Sequence, residues 1–151
     1  MKKFYFLILI FFFTGCSGYK PTFSSKDINF YINQIITSDN DKISYKIKKR
    51  LEPYTSKASK KKQINLKITS LKEVRIIAKD NKGDASMFDL IIISNIEVSL
   101  NDIAKNNYKF SEKFTFKNQT NKFELEQYKR SLEDEIISKI FEKLILNLRT
   151  L

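Results

Sequence analysis

The chain of 151 residues has no histidine and no tryptophan, a single cysteine, three glycines and two prolines. Each scarcity removes a class of function. Without histidine there is no imidazole base, so nucleophilic triads that depend on one are excluded. Zinc sites built from His and Cys are excluded with it. The glycines are Gly15, Gly18 and Gly83, too dispersed for a glycine-rich phosphate loop. Cys16 is the only thiol, so no disulfide within the chain can staple the fold. Stability has to come from buried apolar surface. Carboxylates lie near one another at Asp80 and Asp84 and at Glu133 and Glu135, but nothing in the pattern holds either pair in a cleft, and both read as solvated charge. The expectation is a protein that is not an enzyme and needs no cofactor and no metal. Binding is what remains.

What is present begins at the N-terminus. Lys2 and Lys3 precede an unbroken apolar run, Phe4–Phe13, and Phe13-Thr14-Gly15-Cys16 closes it. Ten apolar residues make only ~15 Å of helix, about half the hydrocarbon thickness of a bilayer, so the run is too short for a stable span. A basic start, a short apolar core and small residues before a cut describe a secretory signal peptide. The segment resembles a bacterial lipobox, with Phe13 where Leu is usual, and Cys16 stands where the acylated thiol belongs. The alternative is an ordinary signal peptide with an accidental cysteine. The reading divides the chain into a signal peptide at 1–15, a lipidated tether at 16–26 and one domain at 27–151. An Asp after the acylated Cys would suggest retention in the inner membrane; Ser17 favours the outer membrane, with the domain on the periplasmic side.

The formal charge is +11, and two of the lysines belong to the signal peptide. Abundant Lys, Asn, Ile and Phe, with arginine only at 50, 75, 130 and 149, fit an A+T-rich coding sequence. Drift alone does not explain the distribution. Residues 42–79 hold thirteen basic residues against Glu52 and Glu73, while the rest of the mature chain is slightly acidic. That asymmetry implies an anionic partner or surface. Beyond the inner membrane this is not nucleic acid; a phosphorylated glycolipid or acidic phospholipid fits.

Hydrophobic periodicity gives the elements. Ile28, Phe30 and Ile32 alternate with polar residues as in a half-buried strand. Ser38–Asp41 offers a helix cap with acid in the first turn, Ile43, Ile47 and Leu51 form a narrow stripe, and Pro53 stops the helix. Tyr54–Lys62 reads as a polar loop. Ile64, Leu66 and Ile68, continued by Val74, Ile76 and Ala78, share one parity, as do Phe88, Leu90, Ile92, Ile96, Val98 and Leu100 beyond an Asn81–Asp84 turn. The two runs make a long β-hairpin. A second turn is expected at Asn101–Asn107, then an aromatic strand with Tyr108, Phe110, Phe114 and Phe116. The longest helix follows an Asn121 cap, with Leu125, Tyr128, Leu132, Ile136, Ile140, Leu144 and Leu148 recurring every three or four residues and Ile137, Phe141 and Ile145 widening the stripe. The order β-α-β-β-β-α predicts an α+β fold, a four-stranded mostly antiparallel sheet with two helices packed on one face.

The binding candidates are basic. Lys67, Arg75 and Lys79 share one parity on the first hairpin strand, and Lys109, Lys113 and Lys117 share one on the last strand. If the strands are close, these cations converge; with Lys82 at the turn they form a surface suited to phosphate groups. The competing reading is an exposed face solvated by lysines.

Cys16 followed by Gly18-Tyr19-Lys20-Pro21, the hairpin turning at Asn81-Lys82-Gly83, the strand end Val98-Ser99-Leu100-Asn101-Asp102, the aromatic strand, the Asn118–Asn121 loop and the long last helix occur in an order that resembles the lipopolysaccharide-assembly lipoproteins, the LptE family. Ser17 is inserted before the Gly-aromatic pair, and Lys stands almost everywhere for Arg. The resemblance implies an outer-membrane lipoprotein, anchored in the membrane by its N-terminal acyl chains. It would assemble with and plug the LptD-like β-barrel that exports lipopolysaccharide, and contact the glycolipid through basic residues. The alternative is another envelope lipoprotein, such as a secretin pilotin or a structural lipoprotein.

Overall fold

The computed structural model describes residues 28–55, 62–100 and 103–151. The signal-peptide and tether readings, Cys16 among them, lie outside the described residues. Strand β1 (Phe30–Thr37) leads into helix α1 (Lys42–Leu51) and a short 3-10 turn, Glu52–Tyr54. Strands β2 (Lys62–Lys79), β3 (Ala85–Leu100) and β4 (Ala104–Lys117) follow, and helix α2 (Lys122–Arg149) ends the chain. The sheet order is β1-β2-β3-β4. β1 runs parallel to β2, and the β2–β3 and β3–β4 pairs are antiparallel. The fold is the expected α+β arrangement of a mostly antiparallel sheet with two helices.

The core sits between the sheet and the helices. Ile32, Ile64, Leu66, Ile68, Ile92 and Ile96 from the strands meet Ile47 and Leu51 of α1 and Ile136, Ile137, Ile140 and Leu144 of α2 in one cluster. α2 forms because its apolar stripe runs unbroken from Leu125 to Leu148 and its start is capped: the Asn121 side chain accepts from the backbone N–H of Phe123 and Glu124. The Asn121 side-chain amide also donates to the Glu124 carboxylate, so Glu124 closes on the cap through the side chain and not through the backbone N–H of a capping box. α1 is capped by Asp41, and its first turn contains no acid, contrary to expectation, because the acids at 39 and 41 both precede the first helical residue.

Three further expectations need correction. Tyr54 is not in a polar loop: it is buried, with its ring centroid 6.3 Å from Phe30 and 6.0 Å from Phe141. Pro53 sets a 3-10 turn that swings Tyr54 back onto the core, and burial pushes its phenol above the ordinary range. The second turn is shorter than Asn101–Asn107, since β4 already begins at Ala104 and Asn106 pairs with Val98. Ladder hydrogen bonds outweigh the loop-like composition of Asn106-Asn107. Finally, the parity shared by Val74, Ile76 and Ala78 breaks. Ile76 pairs with Phe88 but Ala78 with Met87, so a bulge at Ile77 moves the strand's end to the other face.

The Asp80–Asp84 turn closes the hairpin with Gly83 at φ +87°, a conformation that favours glycine. The Asp80 carboxylate accepts from the N–H groups of Lys82 and Asp84. Beyond Ser70 strand β2 passes out from under α1, while α2 still covers Leu90 and Phe116 of the neighbouring strands. Val74 and Ile76 keep the parity of the core residues yet are 47% and 56% exposed. α1 is only ten residues, about 15 Å, and does not extend over them.

Candidate functional site

The seven cations singled out above do not form one surface. β3 lies between β2 and β4, and its acids intervene. Lys67 pairs with Glu97 at 3.2 Å, and Lys113 with Asp89 at 3.4 Å. Arg75 binds Glu73 on its own strand. The Thr115 hydroxyl, with Lys113 and Arg75 nearby, holds the Asp89 carboxyl below the usual range despite its partial burial. Lys67, Arg75, Lys109 and Lys113 do share the open face of the sheet, as their parity predicts, but Glu73, Asp89 and Glu97 sit among them and make the surface one of mixed sign, because strand order depends on pairings that parity alone does not reveal. Among the described residues Lys79, Lys82, Lys109 and Lys117 form no ion pair. Three of these gather at one end: Lys79 precedes the hairpin turn, Lys82 lies in it, and Lys117 pairs with Met87 beside it. Lys109, opposite Asn95, is left toward the middle of the sheet. The bulge that re-aims Ala78 also takes Lys79 out of the parity of Lys67 and Arg75.

The other face holds a feature the sequence did not announce. A groove of about 820 Å³ opens between the start of α1, the first half of α2 and the distal part of β2. Its floor is Val74 and Leu90, and its walls carry Lys42, Lys46, Lys72 and Arg130. Glu133 is buried at its inner end, not solvated as its spacing from Glu135 suggested. Its two oxygens bind Lys46 of α1 at 2.6 Å and Lys72 of β2 at 2.7 Å, so one carboxylate ties three elements together. Lys46 also reaches Asp134 at 2.9 Å. Burial works against ionisation of Glu133, but the hydrogen bonds and charges of the two lysines win, and its pKa lies below the ordinary carboxylate value. Lys46 is likewise partly desolvated, yet Glu133 and Asp134 raise its pKa. At the outer end Asp41 accepts from the backbone N–H of Ser70 at 2.7 Å, and the Ser70 hydroxyl meets those of Ser44 and Ser94 at 2.9 and 2.8 Å. These groups satisfy one another and hold α1 against β2.

The Glu133 junction makes a prediction. Glu133→Gln should lower stability at pH 7 by roughly 1–2 kcal/mol, a modest figure because both lysines are about half exposed and water screens them. A depressed carboxyl contributes fully above its unfolded pKa, near the ordinary value of 4.5, and loses that contribution as pH falls through its folded value. The gap between wild type and variant should therefore shrink as pH falls below that ordinary value and through the lower folded one. Urea unfolding at pH 7 and pH 3 measures it; an undiminished gap at pH 3 would mean packing, not charge, is responsible.

Among the described residues no helix is long and apolar enough to cross a membrane, and no acidic cluster could hold a metal ion. The arrangement offers cations, an apolar groove and a projecting hairpin. These are means of binding.

No family model matches the chain. No curated protein sequence matches it. Solved structures do resemble it. Rare lipoprotein B from Shewanella oneidensis superposes with a TM-score of 0.53 at 14% identity, over 76% of this chain and 96% of that one. Lipoprotein B from Nitrosomonas europaea gives 0.59 at 13% identity, over 87% and 90%. A minor lipoprotein from Acinetobacter baumannii gives 0.54 at 11% identity, over 80% and 94%. At such identities the likeness establishes a shared fold and nothing finer.

Proposed function

We propose that this chain is an outer-membrane lipoprotein, acylated at Cys16 and facing the periplasm, that assembles with and plugs an LptD-like lipopolysaccharide-export barrel and helps deliver the glycolipid. The observation that carries the proposal is the shape of the hairpin. β2 is 18 residues long, ~60 Å at full extension, against ~40–45 Å for a bilayer with its headgroups. Phe30, where the chain arrives from the tether, pairs with Lys62 at the opposite end of β2 from the turn. A domain anchored at that end therefore carries Lys79 and Lys82 far from its lipid, a distance that suits a barrel lumen. The neighbours in fold are named lipoproteins, which agrees with the lipobox-like stretch at Phe13–Cys16. The cations near the turn offer charge to lipid phosphates, and the role is binding and assembly without a catalytic site.

Co-expression with the export barrel tests the reading. The chain should co-purify with the barrel in stoichiometric amount, and its depletion should lower both assembled barrel and surface lipopolysaccharide. Lys79→Glu with Lys82→Glu should weaken lipopolysaccharide binding about tenfold while leaving stability within ~0.5 kcal/mol. Co-purification with a secretin ring, or unchanged barrel after depletion, would overturn the assignment.

A further inference from the structure

β1 pairs with β2 only as far as Thr37 opposite Ile68. Beyond that point β2 continues for eleven residues with β3 on one side and, among the described residues, no strand on the other. The backbone groups on this side are identifiable. The Lys62 N–H donates toward β1, to the Asn29 carbonyl, and the Ser70 N–H is capped from the same side by Asp41. Strand alternation then turns the N–H and C=O groups of Lys72, Val74 and Ile76 outward as well, up to the bulge. Asp41 thus closes the β1 ladder, and among the described residues the stretch after it is an edge whose outward donors and acceptors meet no strand. It is also apolar: Leu71, Val74, Ile76 and Ile77 are each about half exposed. An open edge bearing exposed apolar side chains is what most sheets cover or blunt, because it templates pairing with another chain.

We propose that the edge of β2 from Ser70 to Ile76 is a docking site for an extended acidic segment of a partner protein, which joins the sheet as a strand in line with β1 and lays alternate side chains into the groove beside α2. The inference rests on the reading of the chain as an assembly factor, though not on which barrel it serves. Main-chain hydrogen bonds would supply the pairing, and the groove its selectivity. Charge chooses the occupant. The groove walls carry Lys42, Lys46, Lys72, Lys129 and Arg130 against Asp41, Glu126 and Glu133, and neither Lys42 nor Arg130 forms an ion pair among the described residues. A second copy of this edge would bring up another groove wall with the same excess of cations, and the chain's own residues 16–27, with Lys20 and Lys26 against Asp27, carry the wrong sign. A strand presenting carboxylates on the helix side and valine-like residues over Leu71 matches both surfaces.

The test uses a nine-residue synthetic peptide alternating valine and glutamate, titrated into the isotope-labelled full chain in neutral detergent. Binding should slow amide exchange at Lys72, Val74 and Ile76 and leave Arg75, whose N–H already faces β3, unchanged. Val74→Pro removes one outward N–H without touching the β3 ladder and should weaken binding at least tenfold; Val74→Thr, which keeps the N–H, should not. If Val74→Pro unfolds the chain, Lys42→Glu with Arg130→Glu serves instead and should weaken binding by a similar factor. Failure of the acidic peptide to bind, equal binding of a valine–lysine peptide, or unchanged binding by these variants overturns the proposal. So does protection of the three amides before peptide is added, which would mean that the chain's own residues occupy the edge. Failure to co-purify with the export barrel while the peptide still binds would refute the barrel and leave the edge standing; the reverse would refute the edge alone.

Discussion

Ile140→Ala should destabilise the domain by ~2–5 kcal/mol, a large share of the ~5–15 kcal/mol that holds a typical domain together. Ile140 is fully buried on the core face of α2, in one cluster with Ile136 and Ile137 a turn before it and with the strand residues. Removing its side chain costs the transfer of three carbons from water and leaves a cavity that a helix pinned along its length cannot collapse to fill. Leu146→Ala, on the half-exposed side of the same helix, should change stability by less than about 0.5 kcal/mol. Urea unfolding with an unchanged m-value reads both. Similar losses at the two positions would mean that helix propensity, not burial, makes α2 the lid of the core.

The second large effect is on partitioning. A chain processed at residue 16 should carry two acyl groups through Cys16, and two chains anchor where one binds only marginally. Cys16→Ala, exported and cut to begin at the same residue, should move from the detergent phase to the aqueous phase by orders of magnitude while unfolding like wild type. Intact-mass measurement accompanies it: a wild-type chain with no acyl mass, or one that begins elsewhere, would remove the anchor from the account.

The parts of the structure legible in the sequence are those where one period runs unbroken. α2 shows its stripe from Leu125 to Leu148 because nothing competes with burial along it. β4 shows its alternation because one face is aromatic and the other lysine-rich. The misreadings share a cause, which is contact with something distant in sequence. Tyr54 looks polar until Phe30 and Phe141 are beside it. Glu133 is one more helix carboxylate until Lys46 and Lys72, 87 and 61 residues away, close on it. The lysines of β2 and β4 look like one patch until β3 and its Asp89 and Glu97 come between them. The Ile77 bulge left no signal, since Val74-Arg75-Ile76-Ile77-Ala78 is compatible with either face. The free edge of β2 was visible only as a difference in length between an 8-residue strand and an 18-residue one.

The parallel pairing of β1 with β2 also bears on how the chain assembles. Tyr31 and its partner Gln63 are 32 residues apart, whereas β2, β3 and β4 close on short turns between sequence neighbours. Closing the longer loop costs more chain entropy and comes late. If the chain leaves a translocation channel N-terminus first, Phe30, Ile32 and Ile35 emerge before the strand that will cover them exists. For that interval β1 is a short apolar tract with nothing to cover it, and a chaperone that binds such tracts would meet this segment first.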